Sequence, residues 1–378
     1  MSLYKSASGR EINAHSYSGG AEFKFCRRKY QLHRLLGWQE KAKKAAPEFG
    51  KAIESAIQYF YENGQKKDDC VDQFKSIWAK FQAVEMEYTD ADKDWASLYS
   101  TGAELCALFE VLAPTLPIYN PKFQLEYRKE VWPGTGMEFV SYVDLLSTDP
   151  EGKRTVVDIK TAKLGLNLDE NMLSLDPQLR RYAWVTGIRD VAFLWLIKAR
   201  TDSFKKGDTV TLLEKGLEWG PGSQMLIVKY DADTEVAYVS DEETVRKMDE
   251  ELGAISGKGS TEAKTKVFST YVSAEKIAVM RREQITKTKI QFIPAQIPEE
   301  DIPEIGDAVG HEVVSIMDAD KNNRWIKDGG VRFPNNQCVW CSYRGICTNN
   351  AALRDELLVQ IGPAAKDDDW LSDLEEVE

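Results

Sequence analysis

Apolar residues recur at helical spacing through the first third of the chain, then at strand spacing or in short apolar runs. Residues 1–15 are polar. Phe23 to Trp38 places Phe25, Tyr30, Leu32 and Leu36 at apolar positions beside a dense basic face, which predicts one helix. Pro47 opens a second helix that runs to about Asn63 and stops at Gly64. Helical periodicity continues through Val71–Val84 and Trp95–Leu112.

The texture then changes. Phe123–Trp132 and Met137–Ser147 read as strands joined by Pro133-Gly134-Thr135-Gly136, and Lys153–Lys160 reads as the next strand. Gln178–Thr186 is helical, and Val191–Ile197 is a short apolar run that suits a buried strand. This alternation predicts an α/β or α+β core built on a mixed central sheet flanked by helices. Residues 200–320 read as an elaboration of that core. They contain a strand pair (Met225–Tyr230 and Glu235–Val239) and a charged helix after Asp241. Pro298–Asp307 reads as an acidic linker, and Ile305–Ala319 as a helix leading into a cysteine-bearing segment at 321–360. The chain thus divides into a core over 16–199, its elaboration, the cysteine segment and an acidic tail over 366–378.

Composition refines this picture. Of 378 residues, 43% are hydrophobic and 29% charged, enough for one large domain or two modest ones. No apolar run is long enough to span a bilayer, and Met1–Lys5 lacks the apolar stretch of a signal peptide, so a cytoplasmic location is expected. The net charge of −12 weighs against nucleic acid, but the segment Asp367–Glu378 alone carries seven acidic residues and no basic ones. Without it the charge is about −5, and net charge bounds non-specific binding, not a local groove. The tail, set around Trp370-Leu371, is expected to be disordered. It is a candidate for docking on a single-strand-binding or annealing protein, for occluding a channel, or for solubility alone.

Chemistry concentrates in two places. Asp158 and Lys160, two apart on a strand, leave the same face, and the preceding strand carries Asp144. A three-residue loop, Pro150-Glu151-Gly152, pairs Asp149 with Lys153 and therefore Asp144 with Asp158, with Gly152 at the left-handed position. Two opposed carboxylates repel unless a cation neutralises them, and magnesium suits a site with few protein ligands. The alternative is a surface hairpin with an Asp158–Lys160 ion pair, but Val140, Tyr142, Val143, Val156 and Val157 make this hairpin apolar on both faces. Gln178 and Tyr182, four apart on a helix, share a face. Glu54, four residues after Gly50, is a candidate third carboxylate.

The second place is Cys338-x2-Cys341-x5-Cys347, three thiols where a closed metal site needs four. Cys26 is the remote candidate for the fourth. Cys70 and Cys106 stand alone in helical sequence and read as core thiols.

Together these residues resemble the PD-(D/E)xK nuclease superfamily, and most closely its RecB-like exonuclease branch, which includes the AddB-type and CRISPR-adaptation nucleases. The resemblance covers about residues 16–199 and the cysteine segment. It implies a restriction-endonuclease-like fold and a metal-dependent DNA exonuclease acting in recombination, repair or end processing. Asp144, Asp158, Glu54 and the Ile159 carbonyl would hold Mg²⁺ or Mn²⁺, Lys160 would assist the water, and Gln178 and Tyr182 would position the phosphate or the strand. Members often carry histidine where this chain has Glu54, and the family's strand glutamate would correspond to Glu126. The resemblance also implies a [4Fe–4S] cluster on Cys26, Cys338, Cys341 and Cys347 that staples the two ends of the chain together, with zinc as the alternative. Arg27, Arg28, Lys29, Arg34 and Arg344 would then lie near it as DNA contacts. The rival readings are a non-catalytic module binding DNA ends or a partner on the same fold, and a zinc-binding nucleic-acid protein.

Overall fold

The computed structural model describes residues 4–5, 11–12, 14–89, 92–163, 170–198, 204–255, 257, 259–332 and 336–361. The acidic tail lies outside the described residues. The helices that frame the site are α1 (Tyr17–Phe25), α2 (Ala45–Glu62), α3 (Asp69–Ala79), α4 (Trp95–Leu112), α5 (Pro177–Thr186) and α6 (Asp301–Lys321). The central sheet consists of β1 (Ala14–His15), β2 (Lys122–Glu130), β3 (Glu138–Thr148), β4 (Arg154–Ala162), β5 (Asp190–Ile197) and β6 (Ile290–Gln296).

The sheet is mixed. β6 pairs antiparallel with β5, β5 parallel with β4, and β4 antiparallel with β3; β3 also pairs with β1 in parallel and with β2 antiparallel. Pro294 fits within β6 because that strand is an edge, where a missing N–H breaks no ladder. Helices cover both faces. On α2, Phe49, Ala52, Ile53, Ala56, Ile57 and Phe60 recur at helical spacing and are all buried. With α3 and α4 they pack on Leu145, Val157, Ile159, Ala192 and Leu194 of the sheet. Gly102 lets α4 come this close to α3, since a side chain there would strike the Phe74 ring at 2.0 Å. On the opposite face, α5 and α6 pack against Phe139, Val143, Val156, Val191 and Phe193. This is the expected mixed α/β architecture.

Several expectations are corrected. Phe23–Trp38 is not one helix: α1 ends at Phe25, and Cys26 is extended at φ −164 and ψ 114. The chain then restarts as a short helix, Arg27–Tyr30, continues as a π-turn over Gln31–Leu35, and leaves as a strand at Trp38–Glu40. The Val71–Val84 helix is α3, which ends at Ala79. The Pro298–Asp307 linker is mostly helix, because α6 begins at Asp301 and already buries Ile305. The region after 200 holds a second, five-stranded antiparallel sheet with its own core around Val210, Leu212, Ile227 and Val239. Two of its strands were legible from alternation; the others span only three or four residues, too short to show a period.

Candidate active site

The loop that joins β3 to β4 sets the site. Asp149 N–H donates to Lys153 O, Gly152 N–H donates to Asp149 O, and Gly152 takes φ 84. The ladder then runs Thr148 with Arg154, Ser147 with Thr155, Leu146 with Val156 and Leu145 with Val157, so the next position sets Asp144 opposite Asp158. The Asp144 Oδ2 atom accepts the Ile159 N–H at 2.9 Å.

Asp158 is fully buried. Its Oδ1 accepts from Gln178 Nε2 at 2.9 Å and lies 3.2 Å from the Tyr182 hydroxyl. The same Gln178 amide also donates to the Tyr182 oxygen at 2.9 Å, and that hydroxyl sits 3.0 Å from the Tyr142 carbonyl. Both residues are aimed inward because α5 is firmly started and stopped. Asp176 accepts from the N–H groups of Gln178 and Leu179, Pro177 occupies the first turn, and Gly187 closes the helix at φ 71. Lys160 Nζ lies 2.7 Å from Asp158 Oδ2, and Oδ2 receives no hydrogen bond of good geometry.

Glu54 projects from the first layer of helices. Burial, and then repulsion from Asp158, hold its carboxyl up to about 7, against the pull of Lys160 and a Gln124 hydrogen bond. Asp144 is likewise held up to about 7 by burial and by Glu54, and Asp158 to about 7 by burial and by Asp144. Burial alone would lower Lys160, but Asp158, Asp144 and Glu54 outweigh it and raise it, so the ammonium is charged. Three carboxyls and one ammonium leave excess negative charge in a poorly solvated place, and a divalent cation relieves that. Asp158 Oδ2, engaged by the Lys160 ammonium, has lone-pair capacity left for an oxygen-seeking ion. The donor set therefore fits a hard cation in its chemistry. In this geometry, however, Asp144 is tied to Ile159 and Glu54 to Gln124, and among the described residues no group of three or more His, Cys, Asp or Glu is spaced to hold a metal ion.

Glu126 is not part of this cluster: it pairs with Arg128 and accepts from the Tyr142 hydroxyl at 3.1 Å. Gln124, two residues earlier, is the one that reaches in, with its amide on Glu54 Oε1. Tyr17 was also missed. Its ring lies under the Arg181 guanidinium at 5.1 Å, and burial followed by Asp176 raises its phenol while Arg181 and Lys160 pull it down. Nothing in the local sequence marks either residue, because each is placed by a distant element.

The four candidate cysteines lie near one another, but among the described residues no three of them are spaced to hold a metal ion. The Cys341 thiol is pushed up by burial and further by Cys347 and Cys26, and Cys347 by burial and then Cys26 and Cys338. The N-terminal segment reaches them through Arg28 N–H on Ile326 O at 3.1 Å and Arg27 N–H on Asp328 Oδ2 at 3.2 Å. Tyr343 donates to Trp38 O at 3.0 Å, and Leu32, Tyr343 and Leu358 share a small core. Cys70 and Cys106 are buried among the helices α2 to α4, as core thiols are.

The basic residues near the cysteines are engaged within the protein. Arg34 pairs with Glu22 at 2.9 Å, Lys29 approaches the same carboxylate at 3.8 Å, and Arg27 pairs with Asp328 at 3.5 Å. Arg28 bonds Gln31, and Arg344 donates to Val339 O at 2.5 Å.

A mixed sheet that carries Asp144 and Asp158-Ile159-Lys160 on adjacent strands, capped by a Gln–Tyr helix, defines a nuclease core. The family model of the PD-(D/E)XK nuclease superfamily matches residues 14–348, and the chain belongs to that superfamily. No curated protein matches the sequence. Among solved structures the chain is similar to one titled "Crystal structure of SSO0001", at 13% identity and a TM-score of 0.22; the match covers 50% of this chain and 64% of that one, less than two thirds of its length. No helix among the described residues is long and apolar enough to cross a membrane.

Proposed function

We propose that this chain is a deoxyribonuclease of the RecB-like branch that depends on Mg²⁺ or Mn²⁺ and degrades DNA from ends during recombination, repair or end processing. The observation that carries this reading is Asp158, fully buried and paired at 2.7 Å with a charged Lys160, beside two further carboxyls, Asp144 and Glu54, all three raised by burial and then by one another. Three buried carboxyls facing one ammonium are costly unless a cation offsets the remaining negative charge.

Asp144, Asp158, Glu54 and the Ile159 carbonyl would hold the cation, which when bound supplies an activated water and shields charge on the phosphate. The protein's own contribution is positional. Gln178 and Tyr182 fix the Asp158 carboxylate from behind. Lys160 stays protonated beside it and offsets charge that develops on the phosphate, rather than serving as a base. DNA is the expected partner. Cys26, Cys338, Cys341 and Cys347 are the proposed ligands of a [4Fe–4S] staple, with zinc as the rival metal.

End-labelled linear and circular DNA, single- and double-stranded, tests the activity in Mg²⁺ and in Mn²⁺. Loss of labelled ends from linear but not circular substrates is expected, together with inactivity of Asp158→Ala and Lys160→Ala. Wild-type rates in those variants would sink the proposal. A brown anaerobic preparation absorbing near ~400 nm supports iron–sulfur, and a colourless, zinc-loaded one overturns it.

A further inference from the structure

β2 holds one residue that an ordinary strand does not. Gln124 has φ 49, left-handed backbone that non-glycine residues enter rarely and at a cost. Residues two apart on a strand share a face. Here Phe123 packs with the α2–α4 side of the sheet, whereas Leu125 packs with the α5–α6 side. The partner strand changes sides at the same level, with Val143 in the α5–α6 cluster and Leu145 in the α2–α4 cluster.

The pairing does not slip across this switch. Phe123 lies opposite Leu145 and Leu125 opposite Val143, so the position between them sets Gln124 opposite Asp144. No extra residue is inserted, which separates this feature from a bulge. Both strands therefore exchange faces at a single pair, and both members of that pair turn to the carboxylates. Asp144 binds the Ile159 N–H, and the Gln124 amide donates to Glu54 Oε1.

We infer that Gln124 is a positioning residue of this site, one whose carboxamide fixes the Glu54 carboxylate and whose left-handed backbone is retained for that placement. The inference rests on the nuclease reading above. Glu54 comes from a helix, whereas its fellow carboxylates come from strands, and its side chain has more freedom than theirs. A neutral donor on one oxygen restricts that freedom and leaves the second oxygen for a cation, which a charged donor would oppose. If only the turn of the backbone mattered, glycine would serve there without strain. The rival explanation is a chance contact on an exposed edge strand.

The full chain with Gln124→Gly separates these, because glycine suits the backbone and lacks the amide. Mn²⁺ affinity is read by electron paramagnetic resonance titration, with kcat and KM on end-labelled DNA and the thermal midpoint alongside. The expected result is a midpoint equal to or above that of wild type, Mn²⁺ affinity and kcat each lower by about tenfold or more, and KM unchanged. Gln124→Asn, which keeps an amide, should recover part of the loss. A Gln124→Gly protein with wild-type affinity and kcat overturns the positioning role, and one that melts lower overturns the strain argument. Asp158→Asn is the control. If it loses metal and activity while Gln124→Gly keeps both, only the role of Gln124 fails. If it too behaves as wild type, the nuclease reading fails and takes this inference with it.

Discussion

Asp144 on β3 accepts the backbone N–H of Ile159 on β4 at 2.9 Å, so a side chain of one strand is tied to the backbone of the strand that bears the rest of the motif. That bond exists only in the register fixed by the loop from Asp149 to Lys153. Deleting Glu151 would shorten the loop by one residue and turn every side chain of one strand to the other face. The expected outcome is an insoluble or inactive protein. Gly152→Ala is the milder probe: it forces a side chain into φ 84, costs about 1–2 kcal/mol, and leaves residual cleavage. Equal denaturation midpoints for Gly152→Ala and wild type would show that the loop does not hold the register.

Tyr182→Phe removes the hydroxyl that bridges Gln178, Asp158 and the Tyr142 carbonyl. Losing a buried hydrogen bond costs about 1 kcal/mol of stability. Because that hydroxyl supports the orientation of Asp158, cleavage should fall more than stability implies, by about tenfold to a hundredfold, with weaker Mn²⁺ binding. Steady-state kinetics beside calorimetry check this. A variant that loses stability but no rate would mark Tyr182 as a packing residue.

Much of this arrangement is legible in the sequence, because it is written in local terms. Pro150-Glu151-Gly152 has the chemistry of a three-residue hairpin, and the Asp144–Asp158 pairing follows from it. α4 was delimited residue for residue by its periodicity, with Asp94 supplying the cap. What failed depends on contacts far along the chain. Cys26 breaks a helix that the apolar pattern continues through, where the flanking Arg27 and Arg28 dock on Asp328 and Ile326. Gln124 sits in a run that reads as a plain strand; its left-handed backbone accompanies a face switch that involves two strands and so leaves no local mark. Glu126 has the residue type a site needs but lies on the wrong position of β2.

The raised carboxyls predict that stability depends on pH. Glu54, Asp144 and Asp158 are each held up to about 7, against ordinary values of 4.5 for Glu and 3.8 for Asp. Between those limits the folded chain keeps protons that the unfolded chain has released. Stability of the metal-free protein therefore falls as pH rises from about 4 to about 7, and stays reduced above that. Glu312, held down to about 2, loses its contribution only below this window. A divalent cation replaces the protons. The rise in melting temperature on adding Mn²⁺ should therefore be small near pH ~5 and large near pH ~8. A metal-free protein that melts higher at pH ~8 than at pH ~5 contradicts the shifts.

A buried ion cluster on α6 holds α5 in place. Glu312 on α6 is buried and accepts from His15 at 2.6 Å and Arg181 at 2.9 Å, with Lys24 at 2.6 Å. Burial alone would raise its carboxyl, but these partners hold it down to about 2. Arg181 lies on α5 between Gln178 and Tyr182, so this ion cluster sets the helix that supports Asp158. Glu312→Gln removes the charge opposite a buried guanidinium and should cost about 3–5 kcal/mol. Gly20 enters the same account, because a side chain there would lie 1.6 Å from Glu312 Oε1. Gly to Ala inside a helix ordinarily stabilises by about 1 kcal/mol. Gly20→Ala should instead destabilise, by pushing the carboxylate off His15 and Arg181. Both substitutions act on one network, so the double variant should lose clearly less than the two single losses combined. Urea denaturation of the four proteins measures this, and strict additivity would mean that Gly20 and Glu312 matter for separate reasons.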